Sequence, residues 1–458
     1  MAHLIFAVVS LAAYGGLVNL HLQHGTLRAQ ITPITLAWLG LACAAYAASL
    51  LWAERRRAPT AALILGTGLI FRMTLWFTVP TLSDDVYRYL WDGYLTNQGV
   101  SPYALPIDSP QLDYLDIPMR AQANNRWMAS PYLPAAQFVF AGLTRLFPLT
   151  PLTLQIAMVI FDLGNGLLLL KLLRLAGLPD RRLLLYFWNP LVVISVGHGA
   201  HIDAWMTLLT LLAIWLALAR HSARLAPVTL ALATLTKILP ILLLPVLFWR
   251  WRWHPLMIFG LAIGTILTAA AGPAGWGLSG PLDGTGLFGA IRIYAEQWKF
   301  NSGLFHWLGA SLLPGWGIAN PTQIARQIVG LGLLGMLVVI GWHSRSRQSP
   351  RALLRLMAGP LLAYLLLTPT LHPWYALLPL VFVPFLAPAE QGSPRRWLAV
   401  LPWLYLSAAL PLSYLTYLNP LDFQELAWVR WVEWLPTLIL LTGWGLVELK
   451  GRFLQPKN

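Results

Sequence analysis

Charge is scarce in this chain, and acidic charge is scarcest. Of 458 residues only 10% are charged, with 17 Asp and Glu against 31 Lys and Arg, whereas a soluble domain carries roughly 25%. With 57% hydrophobic residues and a mean hydropathy of +0.63, a water-soluble globule is excluded. Cysteine is nearly absent: Cys43 stands alone inside an apolar block, so no internal disulfide framework exists and the redox compartment cannot be read from it. The apolar blocks lack strict polar alternation, which excludes a transmembrane barrel. The net charge of +14 finds no soluble basic domain to present it, so nucleic acid is not an expected partner.

What is present is a series of apolar blocks rich in Leu, Ala, Gly and Trp, long enough to cross ~30 Å of hydrocarbon as helices. Residues 4–22 and 33–53 read as spans, the first as a retained helix without a signal-peptide cleavage site. Glu54-Arg55-Arg56-Arg57 follows and should be cytoplasmic by the positive-inside rule. The N-terminus is then cytoplasmic too, and a third span near 61–80 carries Ser83-Asp84-Asp85 outward. Further basic clusters at Lys171/Arg174/Arg181/Arg182, Arg220/Arg224, Arg250/Arg252, Arg345/Arg347/Arg351, Arg395/Arg396 and Lys450/Arg452 should be cytoplasmic. On that threading twelve of the 17 acidic residues lie outside, four lie inside, and Asp162 lies within a span. The apolar run 133–147, followed by Pro148 and Pro151, reads as an interfacial or re-entrant helix of the first outer loop, 81–150. A second outer segment is expected at 272–303.

The run 225–249 is too short for two full crossings, since each arm about Lys237 is only ~18 Å long. Thr236-Lys237-Ile238-Leu239-Pro240 is therefore expected to be a broken-helix tip, which tolerates irregular backbone only against protein or water. An ammonium at that depth marks either function or a structural partner such as Asp162. For function, it suits phosphate as a point charge. Asp84 and Asp85 read either as helix caps or as a general base toward a hydroxyl, with Arg88 and Asp92 at helical spacing beyond them. Three polar residues, His198, His201 and Asp203, share one tip and read as hydrogen-bonding groups for a substrate, as an ordinary polar turn, or as metal ligands, although they lack the helical spacing of a zinc protease. His372 adds a titratable donor beside Trp374 and Tyr375. Arg292 is a candidate phosphate or sugar contact on 289–301.

These pieces carry a resemblance. Ser83-Asp84-Asp85-Val86-Tyr87-Arg88-Tyr89-Leu90-Trp91-Asp92-Gly93 with Gly99-Val100-Ser101-Pro102-Tyr103, then Ser130-Pro131-Tyr132-Leu133-Pro134, Trp188-Asn189-Pro190, Gly197-His198-Gly199-Ala200-His201-Ile202-Asp203, Leu235-Thr236-Lys237-Ile238-Leu239-Pro240, Trp298-Lys299-Phe300-Asn301 and His372-Pro373-Trp374-Tyr375 resemble, in order, the bacterial polyprenyl-phosphate-sugar-dependent glycosyltransferases of the GT-C fold, mannosyltransferase-like branch. There is no strict DxD, and the family's single catalytic aspartate maps to either Asp84 or Asp85.

The resemblance implies an all-α polytopic protein: one catalytic domain over 1–458, a GT-C-like bundle of about 11–13 transmembrane helices, and a large first outer loop with interfacial helices. It implies an inverting transferase in the inner (cytoplasmic) membrane, taking a hexose such as mannose from a polyprenyl-phosphate carrier to a glycan or glycolipid acceptor on the extracytoplasmic side. Asp84 or Asp85 would be the base. Lys237, Arg292, His372 and Arg88 would meet the donor phosphate; His198, His201, Asp203, Tyr132 and Tyr375 would meet sugar or acceptor. No metal ligand is assigned, and a divalent cation is at most an optional assistant. The competing class is a lipid or solute transporter, or flippase, with its broken-helix site at Lys237. Such proteins carry inverted repeats with paired interruptions, and no internal symmetry of that kind is present.

Overall fold

The structure, a computed structural model, describes residues 2–55, 58–278, 282–387, 395–419 and 423–453. Arg56, Arg57 and Asp422 lie outside the described residues, as do the side chains of Glu54, Arg55, Arg395, Arg396, Lys450 and Arg452. The described elements are helical, and the one β-type pairing among them is a single bridge between Phe300 and Thr370.

The first helices follow the apolar blocks: α1 (Ala2–His24), α2 (Thr32–Arg55) and α3 (Ala61–Thr74). α3 starts where the Thr60 hydroxyl accepts a hydrogen bond from Leu63 N–H at 3.3 Å, a side-chain cap for one of the orphan amides of the first turn. The span expected over 61–80 ends earlier, at Thr74, with a short 3-10 turn over Leu75–Phe77. α4 (Asp85–Asn97), α5 (Pro118–Gln122) and α6 (Pro134–Leu146) build the loop beyond it. Pro134 pre-sets the first turn of α6, where a missing N–H costs nothing. α6 buries Ala135, Ala136, Gln137 and Phe140 while Phe138 and Leu146 stay exposed, the amphipathic character expected of 133–147. α4 packs on α6 closely enough that a Cβ on Gly93 would meet the Phe140 carbonyl oxygen at 2.4 Å; only glycine fits there.

α7 (Pro151–Leu175) is the long central helix. After it come two interrupted helices. Pro190–Gly197, capped by Asn189, breaks and resumes as Asp203–Leu218; Leu225–Thr234 breaks and resumes through Leu239–Leu243 into Leu244–Trp251. The second break holds Lys237 as expected, with Pro240 unable to continue the first arm's ladder. Six described helices are long and apolar enough to cross a membrane, among them α1, α2, α7, Trp253–Ala271, Pro321–Ser344 and Pro350–Leu367, and several shorter apolar helices accompany them. Leu331, Val338, Val339 and Trp342 stand exposed on Pro321–Ser344, and such an outward apolar face requires lipid around it. The chain is an all-α, multi-pass membrane protein.

Candidate active site

Asp85 opens α4, and its carboxylate is the point on which several elements converge. Oδ1 accepts a hydrogen bond from Asn124 Nδ2 at 2.7 Å. Oδ2 lies 3.6 Å from His201 Nδ1, just beyond hydrogen-bond length. Burial alone would raise this carboxyl, but the His201 contact and the nearby Lys237 and His372 outweigh it and hold the group down at about 2. Asp85 is therefore a carboxylate at any physiological pH.

His201 is delivered by the break after Gly197. The chain turns through Ala200 at φ 51°, and Gly197 sits so near α3 that a Cβ would come within 2.9 Å of the Arg72 carbonyl oxygen. The His201 ring stacks on Trp374 with centroids 3.9 Å apart, and Trp374 stacks in turn on His372 at 4.7 Å. Phe300 closes this column, 4.6 Å from His372. Burial lowers the His372 imidazole to about 4, with Asp85 opposing and Lys237 and His201 reinforcing the drop. His372 is thus a neutral hydrogen-bonding group at pH 7, not a standing cation.

Lys237 Nζ pairs with Asp203 Oδ2 at 2.6 Å and lies 5.0 Å from the Tyr375 ring centroid, a cation–π distance. Three N–H bonds radiate from an ammonium, so a donor direction remains for an anionic ligand after Asp203 and the ring face take theirs. The alternative partner, Asp162, is bound elsewhere: Arg72 Nε and Nη2 hold it at 2.8 and 2.6 Å. Tyr132 stands beside Tyr89, ring to ring at 5.0 Å, within the field of Asp85.

The structure thus brings together Asp85, His201, Asp203, Lys237, Tyr132, His372 and Tyr375, and sets apart other expected members. Asp84 turns toward Arg28, which it meets at 3.0 Å in a half-exposed ion pair. Arg88 is buried and engaged: Nε donates to Asp92 Oδ1 at 3.0 Å, and the guanidinium reaches the carbonyls of Asn124, Asn125 and Met128. Instead of meeting a phosphate, it clamps the loop that carries Asn124. His198 is fully buried, with Nδ1 against Thr78 Oγ1 at 2.7 Å and Nε2 accepting from Thr81 N–H at 3.1 Å. Both nitrogens are used inside the protein, and burial beside His21 and His201 pushes its imidazole down to about 3; it shapes the turn before α4 and does not face a sugar. Arg292 lies near Asp283, a carboxyl that burial would raise and that the Thr285 hydroxyl and amide together with the Arg292 charge hold low. His198, His201 and Asp203 address three different partners, and among the described residues no three His, Cys, Asp or Glu are arranged to hold a metal ion.

Asn124, Arg28 and the Trp374–Phe300 stack were not singled out from sequence. Asn124 lies 39 positions from Asp85 in a loop without periodicity, and nothing local signals the contact. Arg72 did leave a signal, because a lone arginine inside an apolar run is costly and marks a buried partner.

The start of α4 and two broken helices thus gather a carboxylate, a lysine and stacked aromatics at one polar place in a helical membrane protein, and the proteins this chain is similar to are membrane glycosyltransferases. The family described as alpha-(1->6)-mannopyranosyltransferase, N-terminal domain, matches residues 6–253, and the chain belongs to it. It is also 27% identical over 406 residues to alpha-(1->6)-mannopyranosyltransferase A of Mycobacterium tuberculosis (strain ATCC 25618 / H37Rv), covering 78% of this chain and 70% of that protein. It is a mannosyltransferase of the membrane, acting on a sugar donor and a glycan acceptor, and membership in this family sets the transporter alternative aside.

Proposed function

We propose that this chain moves a mannosyl unit from a polyprenyl-phosphate carrier to a hydroxyl of a glycan or glycolipid, forming an α-(1→6) bond with inversion at the anomeric carbon. We place the reaction on the extracytoplasmic face of the cytoplasmic membrane. The family's name supports the linkage, and the separation of basic from acidic residues along the sequence supports the side.

The observation that carries the reading is the Asp85 carboxylate held by Asn124 Nδ2 at 2.7 Å and 3.6 Å from His201 Nδ1, with the Lys237 ammonium, itself paired with Asp203, close enough to act on it. In the reaction Asp85 takes the proton from the acceptor hydroxyl as its oxygen attacks the anomeric carbon. The bond from that carbon to the phosphate oxygen breaks, and the lipid phosphate departs with the electron pair. Lys237, held by Asp203, meets that charge; in a site poor in water a fixed cation is worth far more than in solution. A phosphate leaves without being protonated, so no general acid is needed. A carboxylate near 2 is a weak base in the free enzyme. An arriving anionic phosphate offsets the Lys237 charge that helps hold it down, which raises its affinity for the proton when it is required.

The test is kinetic. Lys237→Ala should lower kcat/KM for polyprenyl-phosphate mannose by about 10- to 100-fold, the equivalent of ~1.5–3 kcal/mol for a charge-assisted bond, while the acceptor KM stays put. Lys237→Arg, which keeps a cation against Asp203, should recover part of the loss. Unchanged donor kinetics in Lys237→Ala would sink the phosphate assignment.

A further inference from the structure

Asn124 reaches the Asp85 carboxylate from an irregular segment between α5 and α6. Its Nδ2 donates to Oδ1 at 2.7 Å. A side chain on such a segment keeps its place only where other contacts fix the backbone beneath it.

Several contacts do so here. Arg88, on the same helix as Asp85, sends its guanidinium to the carbonyls of Asn124, Asn125 and Met128 at 3.5, 3.4 and 3.3 Å. Each contact is long for a hydrogen bond, but a planar fork that meets three carbonyls leaves the backbone little room to rotate. Asn125 turns the chain at φ 47°, and Met128 N–H closes the turn on the Asn125 carbonyl at 3.1 Å. Beyond it Ala129 N–H donates to the Asp283 carbonyl at 3.2 Å and Ser130 N–H to the Pro102 carbonyl at 2.9 Å.

The guanidinium is itself held. Asp92 Oδ1 accepts from Arg88 Nε at 3.0 Å, and Asp92 Oδ2 accepts from Ser130 Oγ and Gln137 Nε2. Arg88 and Asp92 are each 1% exposed. Stability alone does not account for such a pair, because apolar side chains of similar volume often serve as well. Apolar side chains cannot bind three carbonyls, however, and the loop path that the pair fixes is the one that brings Asn124 to Asp85.

The Asp85 carboxylate needs that restraint. It stands in the first turn of α4, where Asp84 supplies no side-chain cap and the helix dipole attracts negative charge. Its terminal torsion is soft, so an untethered carboxylate would swing toward the helix amides. With Oδ1 on Asn124, Oδ2 stays on the side of His201, 3.6 Å away. A misplacement of about 1 Å costs about a hundredfold in rate.

We propose that Asn124 is a positioning residue: it tethers the Asp85 carboxylate by Oδ1 so that Oδ2 receives the acceptor's proton, and the Arg88–Asp92 pair holds it there. The inference rests on Asp85 as the base.

The test uses the full chain in detergent with a labelled polyprenyl-phosphate mannose donor. Asn124→Ala should lower kcat about tenfold or more while both KM values stay within about twofold. Added to Asp85→Asn it should cost nothing further, because its effect passes through the carboxylate. Asn124→Asp keeps the shape and supplies a readout that loop packing alone does not move. Two carboxylates at that separation repel, so one proton enters between them as the pH falls, and the protonated group then donates to Asp85 as Asn124 did. The activity of Asn124→Asp relative to wild type at the same pH should climb about fivefold or more from about pH 8 to about pH 5, while that of Asn124→Ala stays level. The ratio cancels His201, His372 and Lys237, which act on Asp85 in both proteins. A wild-type kcat in Asn124→Ala, a loss that adds to that of Asp85→Asn, or a level ratio in Asn124→Asp overturns the positioning role. If Asn124→Ala fails to fold, the isosteric Asn124→Asp decides alone. Full activity in Asp85→Asn counts against the base assignment instead, and a slow Asp85→Asn beside an unimpaired Asn124→Ala counts against the tether only.

Discussion

Asp85→Asn should reduce transfer about 10²- to 10⁴-fold, the usual contribution of a positioned general base, whereas Asp84→Asn should keep activity within about threefold. The two residues are neighbours in sequence, and geometry separates them. Asp85 meets Asn124, His201 and the field of Lys237; Asp84 pairs with Arg28 near the surface, where an ion pair is worth about 0–1 kcal/mol. The asparagine at position 85 can still take a hydrogen bond from Asn124, so the fold should survive, and its amide cannot accept a proton. Rates measured with a labelled lipid-linked donor, alongside unfolding midpoints, check this. Full activity in Asp85→Asn, or equal losses in both variants, would reassign the base.

The second large effect concerns stability. Arg72 and Asp162 are fully buried against each other, with Tyr186 Oη donating to Asp162 Oδ1 at 2.6 Å and Asn165 Nδ2 at 3.0 Å. Arg72 Nη1 also caps the carbonyls of Gly68 and Phe187, and its guanidinium lies 4.1 Å from the Phe187 ring centroid. Removing one partner strands a charge in a dry interior, which costs about 3–5 kcal/mol, while replacing both by apolar groups of similar volume can be neutral or stabilising. Asp162→Leu alone should therefore lower the unfolding midpoint in detergent sharply, and Arg72→Met with Asp162→Leu should recover most of the loss. A single variant that unfolds with the wild type would show that the pair contributes little.

The elements that follow hydrophobic length or proline placement were legible in the sequence. α6, the break at Lys237 and the tip holding His201 and Asp203 all follow from run lengths and from residues that cannot continue a helix. The identity of each polar partner was not legible. Lys237 finds Asp203 at a distance of 34 positions, Asp84 finds Arg28 at 56 and Asp162 finds Arg72 at 90, and such pairings depend on how helices pack. Arg88 and Asp92 show the limit of helical spacing. The four-residue interval correctly puts them on one face, but spacing is silent about the carbonyls of Asn124, Asn125 and Met128 that complete the clamp. His198 shows a similar limit, since a histidine in a polar tip reads as a ligand contact until its two nitrogens are seen to be spent on the turn over Thr78–Leu82.

The central claim, a lipid-phosphate donor used on the outer face, is tested most directly in sealed right-side-out membrane vesicles. Vesicles holding this chain receive radiolabelled polyprenyl-phosphate mannose and, outside, an impermeant mannoside acceptor; vesicles holding Asp85→Asn serve as the blank. Label should appear in the external acceptor without permeabilisation. Labelling that requires permeabilisation, or that proceeds from a nucleotide-linked mannose with no lipid carrier, would contradict the account.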